Sequence, residues 1–192
     1  MHPFRLYIEK YVHVPEKEWH LIAARLQYRA IPAGHSLLEE GKRCRHLYFL
    51  EAGLLRYFVW RDGRDITKFF TTAPYCFTSQ RSFAQGLPSL ENIESISPST
   101  LWVLDRDSAY DLLAIPAWNT FVRLLIQEVQ FYTEQILEEI QQETAEQRYR
   151  KMLLNGNELL HQVPLKHLAS YFGIAPQSLS RIRKKISKEV RT

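Results

Sequence analysis

The stretch of residues 165–186 constrains the fold of this chain more than any other part of its sequence. Its first apolar residues recur at the spacing of one helical face: Leu165, Leu168 and Phe172. Gly173 follows them, and glycine readily adopts the positive φ that a tight turn between two helices requires. Pro176 suits the first turn of a further helix, where its missing N–H leaves no hydrogen bond unmade. We therefore predict two short helices joined at a glycine.

The second predicted helix has an apolar face and a polar face. Its apolar residues can pack back on the first helix, with the small Ala169 at the crossing: Leu179, Ile182 and Ile186. Its outward residues carry amide, hydroxyl and cationic groups: Gln177, Ser178, Ser180, Arg181, Lys184 and Lys185. This layout is typical of a helix-turn-helix whose second helix enters the major groove of DNA. The alternative is an ordinary helical hairpin with a solvated basic face.

The distribution of charge supports contact with nucleic acid. The chain has a formal net charge of +4, but from His161 onward there are seven lysines and arginines and one glutamate. This last part therefore carries +6 and the remainder −2. A basic end on a mildly acidic body is what attraction to phosphates requires. A basic tail without a specific partner would show the same asymmetry.

Length and composition limit the kind of protein. A chain of 192 residues with 45% apolar side chains can form one or two domains with a hydrophobic core. No apolar run approaches the ~20 residues of a membrane helix, and the N-terminus lacks a secretory signal pattern. Cys44 and Cys76 fit a reducing compartment and are too few for an iron–sulfur cluster. We therefore expect a cytoplasmic protein without a membrane partner.

The N-terminal half changes its apolar period near residue 31. Residues 4–29 have the spacing of amphipathic helices, and Pro15 begins the second of two. Beyond them, runs rich in β-branched, aromatic or leucine residues alternate with turns: residues 46–50, 54–60, 66–70 and 100–104. Residues 61–64, Arg-Asp-Gly-Arg, have the composition of a hairpin turn. This pattern predicts an antiparallel sandwich, barrel or jelly roll.

A long helix is predicted to follow the strands. Residues 105–115 indicate a short helix closed by Pro116, and the long helix then extends to residue 143. Its apolar residues form a narrow seam with alternating spacings of four and three: Trp118, Val122, Leu125, Val129, Tyr132 and Ile136. The seam either packs on the β domain or meets a second copy in a parallel dimer. DNA binding favours the dimer, because a two-fold protein contacts two half-sites.

The predicted organisation is therefore α+β, in three parts. A β-roll sensor domain spans residues 1–115, a dimerisation helix spans residues 116–143, and a helix-turn-helix domain spans residues 144–192. Within the last part, a helix over residues 143–154 is expected to break at the Asn-Gly-Asn sequence of residues 155–157.

Several short motifs carry a resemblance to one family. They are Glu40-Gly41, residues 47–56 (LYFLEAGLLR), Pro88-Ser89, residues 145–149 (AEQRY), residues 169–174 (ASYFGI) and residues 178–183 (SLSRIR). With them the chain resembles, over nearly its whole length, the bacterial Crp/Fnr superfamily of cyclic-AMP receptor-like transcription regulators, and within it the branch common in Bacteroidetes. The resemblance implies a jelly roll of the cyclic-nucleotide-binding type (a double-stranded β-helix), a dimerisation helix and a C-terminal helix-turn-helix.

The resemblance also implies a function. The chain would be a homodimeric transcription regulator and not an enzyme, reading a palindromic operator in double-stranded DNA, with RNA polymerase as a further partner. Arg181 matches the family arginine whose forked guanidinium reads guanine, and the Gln177 amide can pair with adenine. The remaining outward groups suit phosphate or sugar: Ser178, Ser180, Lys184, Lys185 and Lys188. His167 on the first helix either meets the DNA backbone or is solvated.

Two departures from the family pattern change these expectations. Relatives that bind cyclic nucleotides carry a Gly-Glu pair and an Arg-Ser pair in a cassette that here spans residues 76–93, and both pairs are missing. Because Glu91 would repel a phosphate, we expect neither cyclic AMP nor another cofactor. A pocket for an unidentified effector could use Thr78, Ser79, Arg81, Ser82 and Asn92. Six residues follow Ile186, too few for the β-hairpin wing of the family.

Two other functions fit the sequence less closely. A cupin-like ligand-binding roll would hold a metal through histidine and carboxylate ligands, but His35, Glu39 and His46 lack a convincing ligand spacing. A protein-interaction module would use the C-terminal helices to contact a protein instead of DNA. Salt-dependent binding to duplexes would argue against that module.

Overall fold

The elements run in the order helices, strands and helices again, and the computed structural model describes residues 1–154 and 159–189. The first helices are α1 (Pro3–Ile8) and α2 (Glu16–Ala23). The strands are β1 (Gln27–Ile31), β2 (Ser36–Leu38), β3 (His46–Ala52), β4 (Leu54–Arg61), β5 (Arg64–Thr72), β6 (Tyr75–Phe77), β7 (Asn92–Ser95) and β8 (Ser99–Asp105), with α3 (Gln80–Gln85) between β6 and β7. Then come α4 (Arg106–Asp111), a 3₁₀ turn (Leu112–Ala114), α5 (Pro116–Gln142), α6 (Ala145–Leu154), α7 (Leu159–Gln162), α8 (Leu165–Phe172) and α9 (Pro176–Glu189).

Two antiparallel sheets form the roll. Their strand orders are β1-β8-β3-β6 and β2-β7-β4-β5. Apolar side chains from both sheets fill the space between them: Ile31, Leu38, Tyr48, Leu50, Leu55, Tyr57, Phe77, Ile93, Leu101 and Val103. The predicted antiparallel β architecture is confirmed, and each of the four predicted runs lies within an observed strand.

The predicted hairpin turn at residues 61–64 is also confirmed. It joins β4 to β5, with Arg61 opposite Arg64 in the ladder. Asp62 and Gly63 have φ values of 51° and 69°, and a two-residue turn of type I′ requires positive φ at both central positions.

The prediction of helix up to residue 29 is wrong. Helix α2 ends at Ala23, and residues 27–31 instead form β1, which pairs with β8 along its length. The paired residues of β1 and β8 lie 68 to 76 positions apart in the chain, so the hydrogen bonds between them leave no trace in the local apolar spacing. Strands β2, β6 and β7 were not predicted, since runs of three or four residues are too short to show a period.

The first half of α5 packs on its own chain. Trp118 is 1% exposed, and its indole N–H donates to the carbonyl of Ala109 at 3.1 Å. Leu125 is buried beside it, among apolar side chains of α1, α2 and β3. Trp118 and Leu125 therefore face the roll and not a second copy, because the N-terminal helices supply a surface that covers them. The remaining seam residues divide: Val122 packs against the same cluster, while Val129, Tyr132 and Ile136 lie beyond it.

The C-terminal helices form a second, smaller core. It consists of Leu54 from β4 together with residues of α6 to α9: Tyr149, Leu160, Val163, Leu168, Ala169, Phe172, Leu179 and Ile186. Helix α8 ends at Gly173, whose φ of 71° places it in the left-handed region, so the predicted pair of helices joined at a glycine is confirmed. The predicted break at residues 155–157 lies outside the described residues. Within the described ranges, no helix is long and apolar enough to cross a membrane.

Candidate nucleic-acid interface

Helix α9 is held in place by its apolar side. Leu179 is fully buried and Ile186 nearly so, and both belong to the cluster that α8 forms with Leu168, Ala169 and Phe172. At the end of α8, Arg148 Nη2 donates to the carbonyl of Phe172 at 2.9 Å, which stabilises the last turn of that helix. This packing leaves the opposite face of α9 to solvent.

The outward face of α9 carries the residues predicted to contact DNA. The exposed residues of this face include Gln177, Arg181 and Lys184. Two are half-buried: Ser178 and Ser180. Neither Arg181 nor Lys184 forms an ion pair with the described part of the chain. Lys185 is also exposed, but its Nζ lies 2.9 Å from Glu146 Oε1 of α6. An exposed pair of this kind is weak because water screens it, so a phosphate can displace the carboxylate.

Helix α8 closes an open edge of the roll. Strand β5 lies at the end of its sheet, so one side of its backbone has no neighbouring strand. The Ser170 hydroxyl of α8 accepts from the N–H of Thr67 at 2.9 Å and donates to the carbonyl of Asp65 at 3.0 Å. The rings of Phe70 and Tyr171 add apolar contact, with centroids 5.5 Å apart. The helix that braces α9 is therefore docked on the roll.

A buried arginine lies beneath this contact. Arg56 of β4 is 2% exposed, and its guanidinium makes a bidentate pair with Asp65 at nitrogen–oxygen distances of 2.7 and 2.9 Å. Its Nε donates to Glu94 Oε1 at 2.8 Å. The ring of Phe58 lies 4.0 Å from the guanidinium carbon. Two carboxylates share one guanidinium here, a geometry that suits the arginine fork and not a lysine.

His167 of α8 completes the buried cluster. The imidazole is 8% exposed, and its Nδ1 accepts a hydrogen bond from Arg56 Nη1. Burial, and next the charge of Arg56, lowers the pKa of His167 to about 4, while Asp65 acts in the opposite direction. A neutral imidazole is the form that can accept from an arginine. Both expected positions of His167, at the DNA backbone or in solvent, are therefore wrong. Its partner lies 111 positions earlier in the chain.

The buried state of His167 predicts that acid weakens the docking of α8 on the roll. In the unfolded chain the imidazole takes up a proton near pH 6.5, whereas folded His167 resists protonation down to about pH 4. Stability from this contact is complete above pH 6.5 and is lost as the pH falls toward 4. Between pH 7 and pH 4.5, we expect the unfolding free energy of the wild type to fall about 1–2 kcal/mol more than that of His167→Gln. Equal losses in urea denaturation would contradict this role.

Most of the residues predicted to line an effector pocket form hydrogen bonds within the chain. Thr78 and Ser82 donate their hydroxyl hydrogens to backbone carbonyls at 2.9 and 2.6 Å. Asn92 Oδ1 accepts a backbone N–H at 3.0 Å, and Arg81 is exposed on α3.

Glu91 pairs with a hydroxyl group and an ammonium group of the roll. Its Oε1 accepts from the Ser79 hydroxyl at 3.0 Å, and its Oε2 lies 2.5 Å from Lys68 Nζ. Nearby, the rings of Tyr57 and Phe69 stack with centroids 4.0 Å apart. An internal carboxylate and aromatic rings thus occupy this part of the roll.

Comparisons with known proteins agree with this architecture. Residues 28–115 match the cyclic nucleotide-binding domain family, and no curated protein matches the chain. A structure described as a Crp/Fnr-family transcriptional regulator from Eubacterium rectale has a TM-score of 0.72 at 16% identity, covering 92% of this chain and 85% of that one. The c-di-GMP responsive global regulator CLP of Xanthomonas campestris has a TM-score of 0.73 at 12% identity, covering 91% and 93%. The Thermus thermophilus catabolite activator protein has a TM-score of 0.57 at 20% identity, covering 93% and 86%. Residues 28–115 thus resemble a cyclic nucleotide-binding domain, and the chain shares its fold with these solved structures.

Proposed function

We propose that this chain is a homodimeric transcription regulator of the Crp/Fnr type that reads a palindromic operator through α9. The observation that carries the proposal is the exposed cationic face of α9, opposite an apolar face buried on α8. A helix braced in this way can enter a major groove, where an arginine fork distinguishes guanine from other bases. Regulators of the same fold support the proposal. We extend it to a cytoplasmic location, which suits the free thiols of Cys44 and Cys76, and to RNA polymerase as a further partner.

The second copy is proposed to bind along the C-terminal half of α5. Large apolar side chains are exposed there, with Ile126 at 49%, Leu137 at 55% and Ile140 at 55%. Ile126 and Ile140 belong to a seam of alternating three- and four-residue spacings, which consists of Ile126, Val129, Thr133, Ile136 and Ile140. Exposed apolar side chains in this pattern suit a parallel pairing of two identical helices, which would place two copies of α9 on one duplex.

The proposed regulator does not use cyclic AMP as its effector. The Glu91 carboxylate already holds the Ser79 hydroxyl and the Lys68 ammonium. A cyclic phosphate at this place would meet the like charge of Glu91, which already neutralises the Lys68 ammonium. The stacked rings of Tyr57 and Phe69 further fill the space between the sheets.

Arg181 and Lys184 are expected to contribute differently to DNA binding. The assay compares a duplex that the wild-type protein selects from a random pool with a random duplex of equal length, by fluorescence anisotropy at several salt concentrations. Arg181→Ala should lose about 1–3 kcal/mol of preference for the selected duplex, because the guanidinium fork reads a base edge. Lys184→Ala should weaken binding to both duplexes equally. It should also reduce the slope of log affinity against log salt concentration by about 1.

The control for these variants is Lys17→Ala, which removes an exposed cation from α2 and should change neither property. If Arg181→Ala lost affinity equally on both duplexes, its role in base reading would be refuted. If the random pool yielded no enriched sequence, the proposed function itself would fail.

A further inference from the structure

A groove on the roll includes none of the α9 residues and none of the cassette residues. It has a volume of about 270 Å³ and lies between β2 and the segment that leads into β3. Three cations line it, Lys42, Arg43 and Arg45, together with His46 and Tyr48 at the start of β3. The groove is therefore a concave surface with a concentration of positive charge.

The three cations lack carboxylate partners within the part of the chain that the structure describes. All three are exposed, and none forms an ion pair with the described residues. Burial, and next the charge of Arg29 on β1, lowers the pKa of His46; Arg45 acts in the same direction and Asp105 opposes it. The lining includes one carboxylate, that of Glu39. Clustered like charges repel one another, and a bound anion relieves this repulsion.

The loop that carries the cations is fixed by the cassette. The N–H of Gly41 donates to the carbonyl of Ser89 at 2.8 Å, and the N–H of Ser89 donates to the carbonyl of Lys42 at 2.7 Å. The N–H of Cys44 donates to the Ser82 hydroxyl at 2.8 Å. A loop held in this way needs little further ordering when a ligand binds, which lowers the entropic cost of binding.

We propose that this groove binds a small phosphorylated molecule, with Arg43 and Arg45 as the main contacts to its phosphate oxygens. Arginine presents paired N–H donors that match a phosphate, and the two side chains lie on either side of Cys44 in the lining. Tyr48 is buried with its hydroxyl 3.4 Å from His46 Nδ1. Burial raises the pKa of Tyr48, so its hydroxyl stays protonated and can donate. A phosphate here also favours the imidazolium form of His46, so proton uptake at His46 accompanies binding.

Inorganic pyrophosphate is the probe for this site. Calorimetric titration of the full chain at low ionic strength should show saturable binding, and the NMR signals of His46 should titrate at higher pH when the probe is bound. The double variant Arg43→Gln/Arg45→Gln should bind at least about tenfold more weakly, because both guanidinium forks are lost. Arg123→Gln, which removes an exposed arginine from α5, is the control and should bind like the wild type.

Several outcomes would overturn the proposal. They are the lack of saturable binding, an unchanged affinity in the double variant, or binding that leaves the His46 signals in place. Loss of pyrophosphate binding in Arg181→Ala would place the anion on α9 and overturn the groove assignment. The proposed DNA-binding function would still stand in that case. Citrate binding as tightly as pyrophosphate would show recognition of negative charge alone and overturn the phosphate assignment.

Discussion

Replacing Arg56 by methionine is expected to lower the unfolding free energy of this chain by about 3 kcal/mol. The variant keeps much of the apolar stem but removes the cation that Asp65 and Glu94 share, leaving two neighbouring carboxylates that are 27% and 25% exposed. It also removes the donor that binds His167 of α8. Urea denaturation followed by circular dichroism measures the loss. A change below about 1 kcal/mol would show that solvent already screens the two carboxylates.

Arg61→Met is the matched control, since Arg61 lies on the same strand and pairs with Glu40 at 3.0 Å on the surface. This exposed pair should be worth less than about 1 kcal/mol. A triple variant separates charge from packing by adding Asp65→Asn and Glu94→Gln to Arg56→Met. The neutral amides should restore part of the stability that Arg56→Met loses, because they do not repel each other. If the triple variant were no more stable than Arg56→Met, lost packing and not unpaired charge would explain the effect.

Trp118→Ala is expected to cost about 3–5 kcal/mol of unfolding free energy. The indole is 1% exposed in the cluster of α1, α2, β3 and α5, and it contacts the rings of Phe4 and Phe121. Truncation removes this contact, leaves a cavity and leaves the carbonyl of Ala109 without its indole donor. The measurement is again chemical denaturation.

Ile140→Lys distinguishes this core from the proposed dimer seam. Ile140 is 55% exposed, so a lysine should leave the fold of one chain intact while placing like charges along the seam. Analytical ultracentrifugation should then show a monomer. Trp118→Ala should lower the unfolding free energy by the same amount in the Ile140→Lys background as in the wild type. A loss that appeared only when the dimer was intact would mean that Trp118 belongs to the seam.

Local patterns predicted the elements that are stabilised locally. The apolar spacing of α8 and α9, the positive φ at Gly173 and the Asp62-Gly63 turn all depend on residues within a few positions of each other. The four longest strands were visible for the same reason, because each is long enough to show its composition. Strand β1 was missed because its pairing with β8 outweighs the helical spacing of the segment before it.

The candidate site also has a part that local spacing predicted and a part that it did not predict. The outward face of α9 was predicted from helical spacing, and the described structure leaves Arg181 and Lys184 exposed there. The docking of α8 was not predicted, although Arg56 lies within a motif that the sequence had already singled out. An arginine within a predicted strand of aromatic residues indicates a charge that needs partners if it is buried. The spacing of the sequence does not say that the partners are Asp65, Glu94 and His167.

The sequence by itself determined the four longest strands, the basic face of α9 and the helical period of α5, because each follows from the chemistry of neighbouring residues. The tertiary structure alone decided that Trp118 faces the roll, that Ser170 covers the open edge of β5 and that His167 is buried and neutral. These outcomes depend on which distant surfaces meet. Burial against a partner, and not spacing along the chain, sets both the packing of an apolar side chain and the charge of an imidazole.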